Sequence, residues 1–134
     1  MQLQILVPLS VFGAILVLAW TVFEVGRARG RYGIKAPAVT GHPDFERVFR
    51  VQMNTVEQSV LFFPALWLCA NYFRADVAGI AGLVWVLGRV WYAIGYYRSA
   101  AARGAGFTLS VLGFAGLLAG GAFGLIKQLV NSSF

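Results

Sequence analysis

GAGFTLSVLGFAGLLAGGAFGLI, Gly104 to Ile126, runs for 23 residues without a charged side chain. A helix needs about 20 mostly apolar residues to cross the hydrocarbon core of a bilayer. A second uncharged run, Leu3 to Phe23, has 21 residues and lies near the other end of the chain. Together the two runs predict an integral membrane protein with a spanning helix near each end.

The composition of the whole chain indicates the same class of protein. Of its 134 residues, 59% are hydrophobic and 12% are charged, whereas charged residues make up about a quarter of an average soluble domain. Two further hydrophobic segments, about 48–73 and 77–97, are long enough to span, although each carries ionisable side chains. The sequence therefore predicts an all-α membrane fold, a single domain over residues 1–134 with four transmembrane helices in one bundle.

Glycine, proline and acidic residues between these segments predict where the helices begin and end. Gly30 is expected to end helix 1, because glycine commonly closes helices in the left-handed conformation. Pro43 and Asp44 suit the start of helix 2, and Asp76 suits the N-cap of helix 3. Helix 3 is expected to continue as far as Arg103.

Helix 4 carries a glycine every four residues, at Gly116, Gly120 and Gly124. Small residues at this spacing share one face and let membrane helices approach each other closely. We expect this face to pack against a neighbouring helix.

The net charge of +6 is distributed as in a membrane protein and does not resemble a nucleic-acid-binding surface. The basic residues lie between the hydrophobic segments and form no stripe interleaved with aromatic residues. Most of them cluster from the end of helix 1 to the start of helix 2, at Arg27, Arg29, Arg31, Lys35, Arg47 and Arg50, and at the end of helix 3, at Arg98 and Arg103. Loops rich in Lys and Arg face the cytoplasm, so loops 1 and 3 are predicted to be cytoplasmic, with both termini on the opposite side and no nucleic-acid partner.

Side chains for several common chemistries are missing from the sequence. Cys69 is the only cysteine and His42 the only histidine, so the sequence offers neither a disulfide nor a metal-ligand set. We expect Cys69 to be a packed thiol and His42 to have a structural or solvent-facing role. A Ser/His/Asp nucleophile set and a phosphate-binding glycine loop are also lacking, so any catalysis has to act on a nucleophile that the ligand brings.

Polar side chains form one stripe on helix 2 and another on helix 3. Residues spaced by three or four positions share one helix face. The helix 2 stripe is Arg50, Asn54 and Glu57, with Gln58 beside it, and the helix 3 stripe is Arg89, Tyr92, Tyr96, Ser99 and Arg103. Glu46 precedes Arg50 by four residues and is a candidate for a local salt bridge. Ionisable residues at membrane depth are costly and usually face a bundle interior or a wet cavity, so the two stripes are candidates for a functional site.

The direction of the two helices decides whether the stripes can cooperate. Helix 2 enters the membrane from the cytoplasm and helix 3 returns toward it, so both stripes are expected in the same leaflet. Arg50 to Glu57 covers roughly 10 Å of helix, which is the reach of a short extended peptide of about three residues. Arginine, glutamate, amide and tyrosine groups suit a zwitterionic peptide ligand, and a thiol is a natural nucleophile for it because nearby arginine lowers a thiol pKa.

Two stretches resemble a known family. TGHPDFERVFRVQMNTVEQ, Thr40 to Gln58, and GRVWYAIGYYRSAAAR, Gly88 to Arg103, are similar to the membrane-associated proteins in eicosanoid and glutathione metabolism, the MAPEG family. The resemblance extends from about Arg29 to Arg103. It implies a homotrimer of four-helix subunits with active sites between subunits, which conjugates glutathione to lipophilic electrophiles or reduces lipid hydroperoxides with it, without a metal.

The resemblance also implies roles for individual residues. Glutathione would be contacted by Arg50, Asn54, Glu57 and Tyr92 or Tyr96, with Gln58 beside them and with Arg29 and Gln52 contributed by a neighbouring subunit. Arg103 would stabilise the thiolate, and the Tyr96 hydroxyl can donate a hydrogen bond to the same sulfur. These two are the expected catalytic residues.

The sequence departs from the family pattern at two positions, and it is also compatible with two other functions. Gly30 and Gln58 stand where the leukotriene synthase of this family has arginine and tyrosine, which argues against leukotriene-type specificity. One alternative is a lipid-binding scaffold of the same fold without enzyme activity. The other is a small four-helix multidrug transporter, in which Glu24 or Glu57 would be the carboxylate coupled to protons.

Overall fold

The computed structural model describes residues 3–133, which form four long helices. They are α1 (Leu6–Tyr32), α2 (Pro43–Tyr72), α3 (Ala75–Arg98) and α4 (Gly104–Ser132). Short 3₁₀ turns, Leu3–Ile5 and Ala100–Arg103, precede α1 and α4. Each helix packs against at least two others, which confirms the predicted all-α, four-helix fold.

Three helical segments are long and apolar enough to cross a membrane: Leu3–Tyr32, Ala75–Arg98 and Ala100–Ser132. The second helix differs because its first half carries the polar stripe. α2 contacts the other three helices. One face of its apolar second half lies in the core, where Phe62 stacks on Trp85 with ring centroids 4.0 Å apart. Within residues 3–133, three of the four predicted helices are thus long and apolar enough to span a membrane.

The end of α1 differs from the prediction. The helix continues through Gly30 to Tyr32, and Gly33 closes it in the left-handed conformation with φ 67°. Its N–H donates to the Arg29 carbonyl. The expectation that Gly30 ends the helix was wrong, because Gly33, and not Gly30, adopts the positive φ that closes the helix.

The start of α2 lies within one residue of the prediction. His42 is the N-cap residue, and its Nδ1 accepts a hydrogen bond from the Asp44 N–H at 3.1 Å. The Tyr32 ring stacks on the His42 ring with centroids 4.1 Å apart. His42 therefore has the structural role expected of it, tying the end of α1 to the start of α2.

Both ends of α3 require correction. The N-cap residue is Arg74, not Asp76, and Asp76 forms an ion pair with Arg74 (Nη2 to Oδ2, 2.5 Å). The helix ends at Arg98, because Ser99 is extended and its side chain caps the following 3₁₀ turn. A Cβ at Gly95 would lie 2.3 Å from the Ala102 carbonyl oxygen. Because Gly95 has no side chain, the 3₁₀ turn can pack directly on the last turn of α3. The helix therefore ends at Arg98, five residues before the predicted end at Arg103.

Small residues do bring α4 close to its neighbours, although the face differs from the predicted one. Six buried α4 positions are spaced by alternating steps of four and three: Gly106, Ser110, Gly113, Leu117, Gly120 and Gly124. Gly121 is buried beside them. A Cβ at Gly106 would lie 2.1 Å from the Tyr92 backbone nitrogen, and one at Gly124 would lie 2.1 Å from the Tyr72 carbonyl oxygen. Gly116 is exposed, so its inclusion was wrong, whereas Gly120 and Gly124 are confirmed. The Gly106 contact fixes the first turn of α4 against the tyrosines of α3.

Candidate active site

A cavity of about 360 Å³ lies where α2 begins, α3 ends and α4 begins. Its lining residues are Arg50, Asn54, Tyr92, Tyr96, Arg103 and Phe107. The first five belong to the two polar stripes identified in the sequence. The structure therefore brings the stripes of α2 and α3 together at one end of the bundle, as their helix directions predict.

Arg103 reaches the cavity through the 3₁₀ turn and not along a continuous α3. Its Nη1 donates a hydrogen bond to the Tyr96 hydroxyl at 3.1 Å, and its guanidinium lies 5.1 Å from the centre of the Tyr96 ring. A hydroxyl that accepts from arginine keeps its own proton for donation elsewhere. The two residues expected to be catalytic are thus in contact and offer a cation and a hydroxyl donor side by side.

Arg50 pairs with Glu57 two helical turns further along α2. The Nη1 and Oε1 atoms are 3.5 Å apart, and each side chain is about half exposed, at 55% and 51%. The predicted pairing of Arg50 with Glu46 is not formed. Glu57 is absent from the cavity lining, yet it touches the arginine that lines it, so a carboxylate and a guanidinium stand together beside the cavity.

Arg89 lies fully buried beside the cavity. Its Nη2 donates to Asn54 Oδ1 at 2.9 Å and to Thr55 Oγ1 at 2.7 Å, and its guanidinium lies 4.0 Å from the centre of the Tyr92 ring. The sequence placed Arg89 in the helix 3 stripe without a role. The sequence gave no indication that Thr55 takes part, because Thr55 lies outside the helix 2 stripe, and its side chain is fully buried.

The other predicted site residues do not line the cavity. Arg29 donates to the Ala38 carbonyl at 2.7 Å and lies 5.0 Å from the centre of the Phe45 ring, so it holds loop 1 of its own chain. Gln52 and Gln58 are half-buried on α2, and Ser99 caps the 3₁₀ turn. The contribution of Arg29 and Gln52 to a neighbouring subunit stays a prediction.

A second cavity, of about 450 Å³, lies between α1, the start of α2 and the end of α3. It is lined by Glu24, Arg27, Ala28, Arg31, Tyr32, Asp44, Val48 and Tyr97. Hydrogen bonds from Arg47 and from the Tyr32 hydroxyl hold the pKa of Asp44 below its usual range. Glu24 pairs with Arg27 at 3.0 Å. The sequence did not predict this cavity, because its residues follow no single helical spacing.

The structure also shows where the potential metal-ligating side chains and the lone cysteine lie. Residues 3–133 contain no group of three or more His, Cys, Asp or Glu side chains that could hold a metal ion. The Cys69 thiol is fully buried against the glycine face of α4, so the prediction of a packed thiol is confirmed.

Comparison with known protein families matches residues 7–123 to the MAPEG family. The chain belongs to this family. Its relatives include human microsomal glutathione S-transferase 2, 41% identical over 113 residues that cover 84% of this chain and 77% of that protein. Leukotriene C4 synthase of Cavia porcellus is 36% identical over 132 residues, which cover 98% and 87%. An uncharacterized protein of Synechocystis sp. is 50% identical over 108 residues, which cover 81% and 79%. The MAPEG match includes both sequence stretches that carry the resemblance and every residue that lines the first cavity.

Proposed function

We propose that the protein is a membrane-bound glutathione transferase that conjugates the glutathione thiolate to lipophilic electrophiles. The observation that carries the proposal is the convergence of Arg50, Asn54, Tyr96 and Arg103 on one cavity. Relatives named for glutathione transfer and for leukotriene C4 synthesis support the same class of chemistry. The cavity volume of about 360 Å³ falls within the usual range for small-molecule sites.

Glutathione offers two carboxylates, one ammonium group and a thiol, and the site has a counterpart for each kind of group. Arg50 suits a carboxylate, since its planar guanidinium can donate two parallel hydrogen bonds. Glu57 suits the ammonium group and stands close enough to Arg50 to recognise both charges of an amino-acid end. The sulfur is then assigned to the other side of the cavity, where Tyr96 and Arg103 meet.

Tyr96 and Arg103 would act on the thiol. The positive charge of Arg103 favours the thiolate over the thiol, and the Tyr96 hydroxyl donates a hydrogen bond to the sulfur anion. The thiol proton leaves to solvent, and the thiolate forms a carbon–sulfur bond with the electrophile. Either a leaving group departs with its bonding electrons, or the π electrons of an attacked double bond move to the neighbouring carbon, which takes a proton from solvent. With a lipid hydroperoxide, the thiolate attacks the terminal oxygen to give an alcohol and a sulfenic acid, and a second glutathione converts the sulfenic acid into water and glutathione disulfide.

The assembly and the topology belong to the same proposal. We place loops 1 and 3 in the cytoplasm, four helices across the membrane, and three subunits around a common axis. Each cavity would then be completed by Arg29 and Gln52 of a neighbouring subunit, and lipophilic substrate would enter from the bilayer between subunits. The exposed apolar side chains of α1, including Phe12, Leu16 and Phe23, supply a surface that lipid or a second subunit would cover.

Turnover with a chromogenic electrophile tests the proposal. Purified protein in detergent is expected to conjugate glutathione to chlorodinitrobenzene, and Arg103→Met is expected to lose most of that rate. Arg98→Met is the matched control, because Arg98 is an exposed arginine at the end of α3, five residues before Arg103, and does not line the cavity. Glutathione binding without turnover across a panel of electrophiles would favour the lipid-binding scaffold. Efflux from vesicles driven by a proton gradient would favour the transporter.

A further inference from the structure

Arg89 is a buried charge with no carboxylate partner among residues 3–133. It is 0% exposed, and it takes part in none of the salt bridges found within residues 3–133. Its Nε and Nη1 atoms are buried and have no hydrogen-bond partner in that part of the chain. An uncompensated buried charge is expensive in a protein interior and more so at membrane depth, so its contacts with the cavity residues call for a functional explanation.

The contact with Asn54 fixes which way the Asn54 amide points. Arginine has only hydrogen-bond donors, so the Asn54 atom that faces Arg89 has to be the acceptor Oδ1. The distance of 2.9 Å from Arg89 Nη2 to Asn54 Oδ1 agrees with this chemistry. The other amide atom, the donor Nδ2, is therefore left for the cavity that Asn54 lines.

We propose that Arg89 is a positioning residue that makes Asn54 a hydrogen-bond donor in the ligand site. The inference rests on the proposed function and specifies one of its contacts: Asn54 would receive a carboxylate or peptide carbonyl oxygen of glutathione. A ligand amine at this point would be rejected, because two donors would face each other. Asn54 and Glu57 lie three residues apart on α2. Asn54 would then bind an oxygen acceptor of the ligand, and Glu57 would bind its ammonium group.

The charge of Arg89 also acts on the site directly. It lies over the Tyr92 ring, which lines the cavity, and no solvent screens it. Arg50 and Arg103 line the cavity and Arg89 lies directly behind its wall, so three guanidinium groups stand in or beside this site. Loss of this cation is expected to move the titration of the bound thiol to higher pH, a change that a purely structural residue would not cause.

Three variants test the assignment. Asn54→Asp keeps an acceptor for Arg89 but presents carboxylate oxygen to the cavity, so the KM for glutathione is expected to rise roughly ten- to hundred-fold, the range for losing a hydrogen bond to a charged group. Arg89→Met frees the Asn54 amide to rotate, so we expect a higher KM with a smaller change in kcat, and a pH–rate profile displaced to higher pH. Arg89→Lys keeps a donor and a charge and is expected to recover much of both. Arg98→Met again serves as the control.

A double-mutant cycle tests the contact between Arg89 and Asn54 independently of the proposed function. Its readout is the Tm of thermal unfolding, measured without glutathione. Asn54→Asp is expected to be tolerated well beside Arg89 and to lower Tm markedly in the Arg89→Met background, where its carboxylate has no partner. Equal Tm shifts in the two backgrounds would refute the pairing, and an unchanged KM in Asn54→Asp would refute the donor assignment. If Arg89→Met does not fold, Arg89→Lys replaces it as the background, with a smaller difference expected. If the wild type does not bind glutathione, the proposed function fails while the cycle still decides the pairing.

Discussion

Removing the positive charge of Arg103 should slow conjugation by raising the pKa of the bound thiol. A sulfur that accepts from the Tyr96 hydroxyl would lie about 5 Å from the guanidinium, since Arg103 Nη1 is 3.1 Å from that hydroxyl. At an effective dielectric constant of about 20, two unit charges at this distance interact by roughly 3 kcal/mol. Arg103 is exposed, so solvent screening reduces this to about half, which corresponds to about one unit in the pKa of the thiol.

This shift gives a definite rate effect. A thiol with a pKa of about 8.5 is about 3% ionised at pH 7, whereas lowering that pKa by one unit gives about 24%. Arg103→Ala is therefore expected to lose close to tenfold in kcat at pH 7 with a much smaller change in the KM for glutathione. The loss should shrink as the pH rises through about 8 and nearly disappear above about 9, because the thiol of the variant then ionises without help.

The assay is the pH dependence of the conjugation rate, read together with the ultraviolet absorbance of the thiolate. Tyr96→Phe is the control for the hydrogen bond, and Arg103→Lys is the control for charge, because lysine keeps the cation and loses the planar geometry. Full thiolate formation and turnover in Arg103→Ala, with both lost in Tyr96→Phe, would move the role to the tyrosine. Normal activity combined with poor thermal stability would mean that Arg103 only anchors the turn before α4.

Three further predictions follow from the fold and the cavity. Glu57→Gln should weaken glutathione binding by about tenfold or less, because its pair with Arg50 is half exposed; an unchanged calorimetric Kd in folded protein would remove Glu57 from the site. Gly106→Ala should destabilise the bundle by roughly 1–3 kcal/mol, since its Cβ would lie 2.1 Å from the Tyr92 nitrogen. Gly104→Ala is the control and should be tolerated, because its Cβ would meet nothing within 4 Å. Similar Tm values for the two variants would contradict the close packing of α4 on α3. Cysteine labels at Ala38 and Ala105, introduced with Cys69 left buried, should react from the cytoplasmic side and a label at Ala75 should not; cytoplasmic labelling at Ala75 would overturn the proposed topology.

Helical periodicity was enough to predict the α2 side of the site. Arg50 and Asn54 lie on an uninterrupted helix, so a spacing of four residues translates directly into a shared face. Tyr92 and Tyr96 follow the same rule on α3. Apolar run length likewise predicted the helices, because burial of backbone polar groups in a bilayer leaves few alternatives to a helix.

The α3–α4 connection could not be predicted in the same way. The spacing of Arg103 from Tyr96 fits a continuous helix, yet the helix ends at Arg98 and the chain returns through a 3₁₀ turn. That reversal depends on close contact of Gly95 with the Ala102 carbonyl, which is a tertiary contact that no local spacing reveals. Arg103 nevertheless reaches Tyr96, because a tight turn keeps it close to the end of α3.

The other features that the sequence did not predict depend on contacts or backbone conformations that appear only in the folded chain. The role of Arg89 depends on Asn54 and Thr55, which lie 35 and 34 residues away in sequence. The buried glycine face of α4 follows alternating steps of four and three and packs against two helices, α2 and α3. A strict step of four residues leaves this face, which is why Gly116 is exposed. The helix end at Gly33 was missed because two glycines near the end of α1 are chemically equivalent until one adopts a positive φ.

Calorimetric titration of glutathione into the purified protein and into Arg50→Met tests the central claim most directly. Arg50 is the cavity residue best placed to bind a ligand carboxylate, and it contacts Glu57, the proposed partner of the ligand amine. We predict saturable binding of glutathione to the wild type and to Arg98→Met, and a loss of roughly tenfold or more in affinity in Arg50→Met. Equal affinity in all three proteins, or no binding to the wild type, would contradict the assignment of this cavity to glutathione.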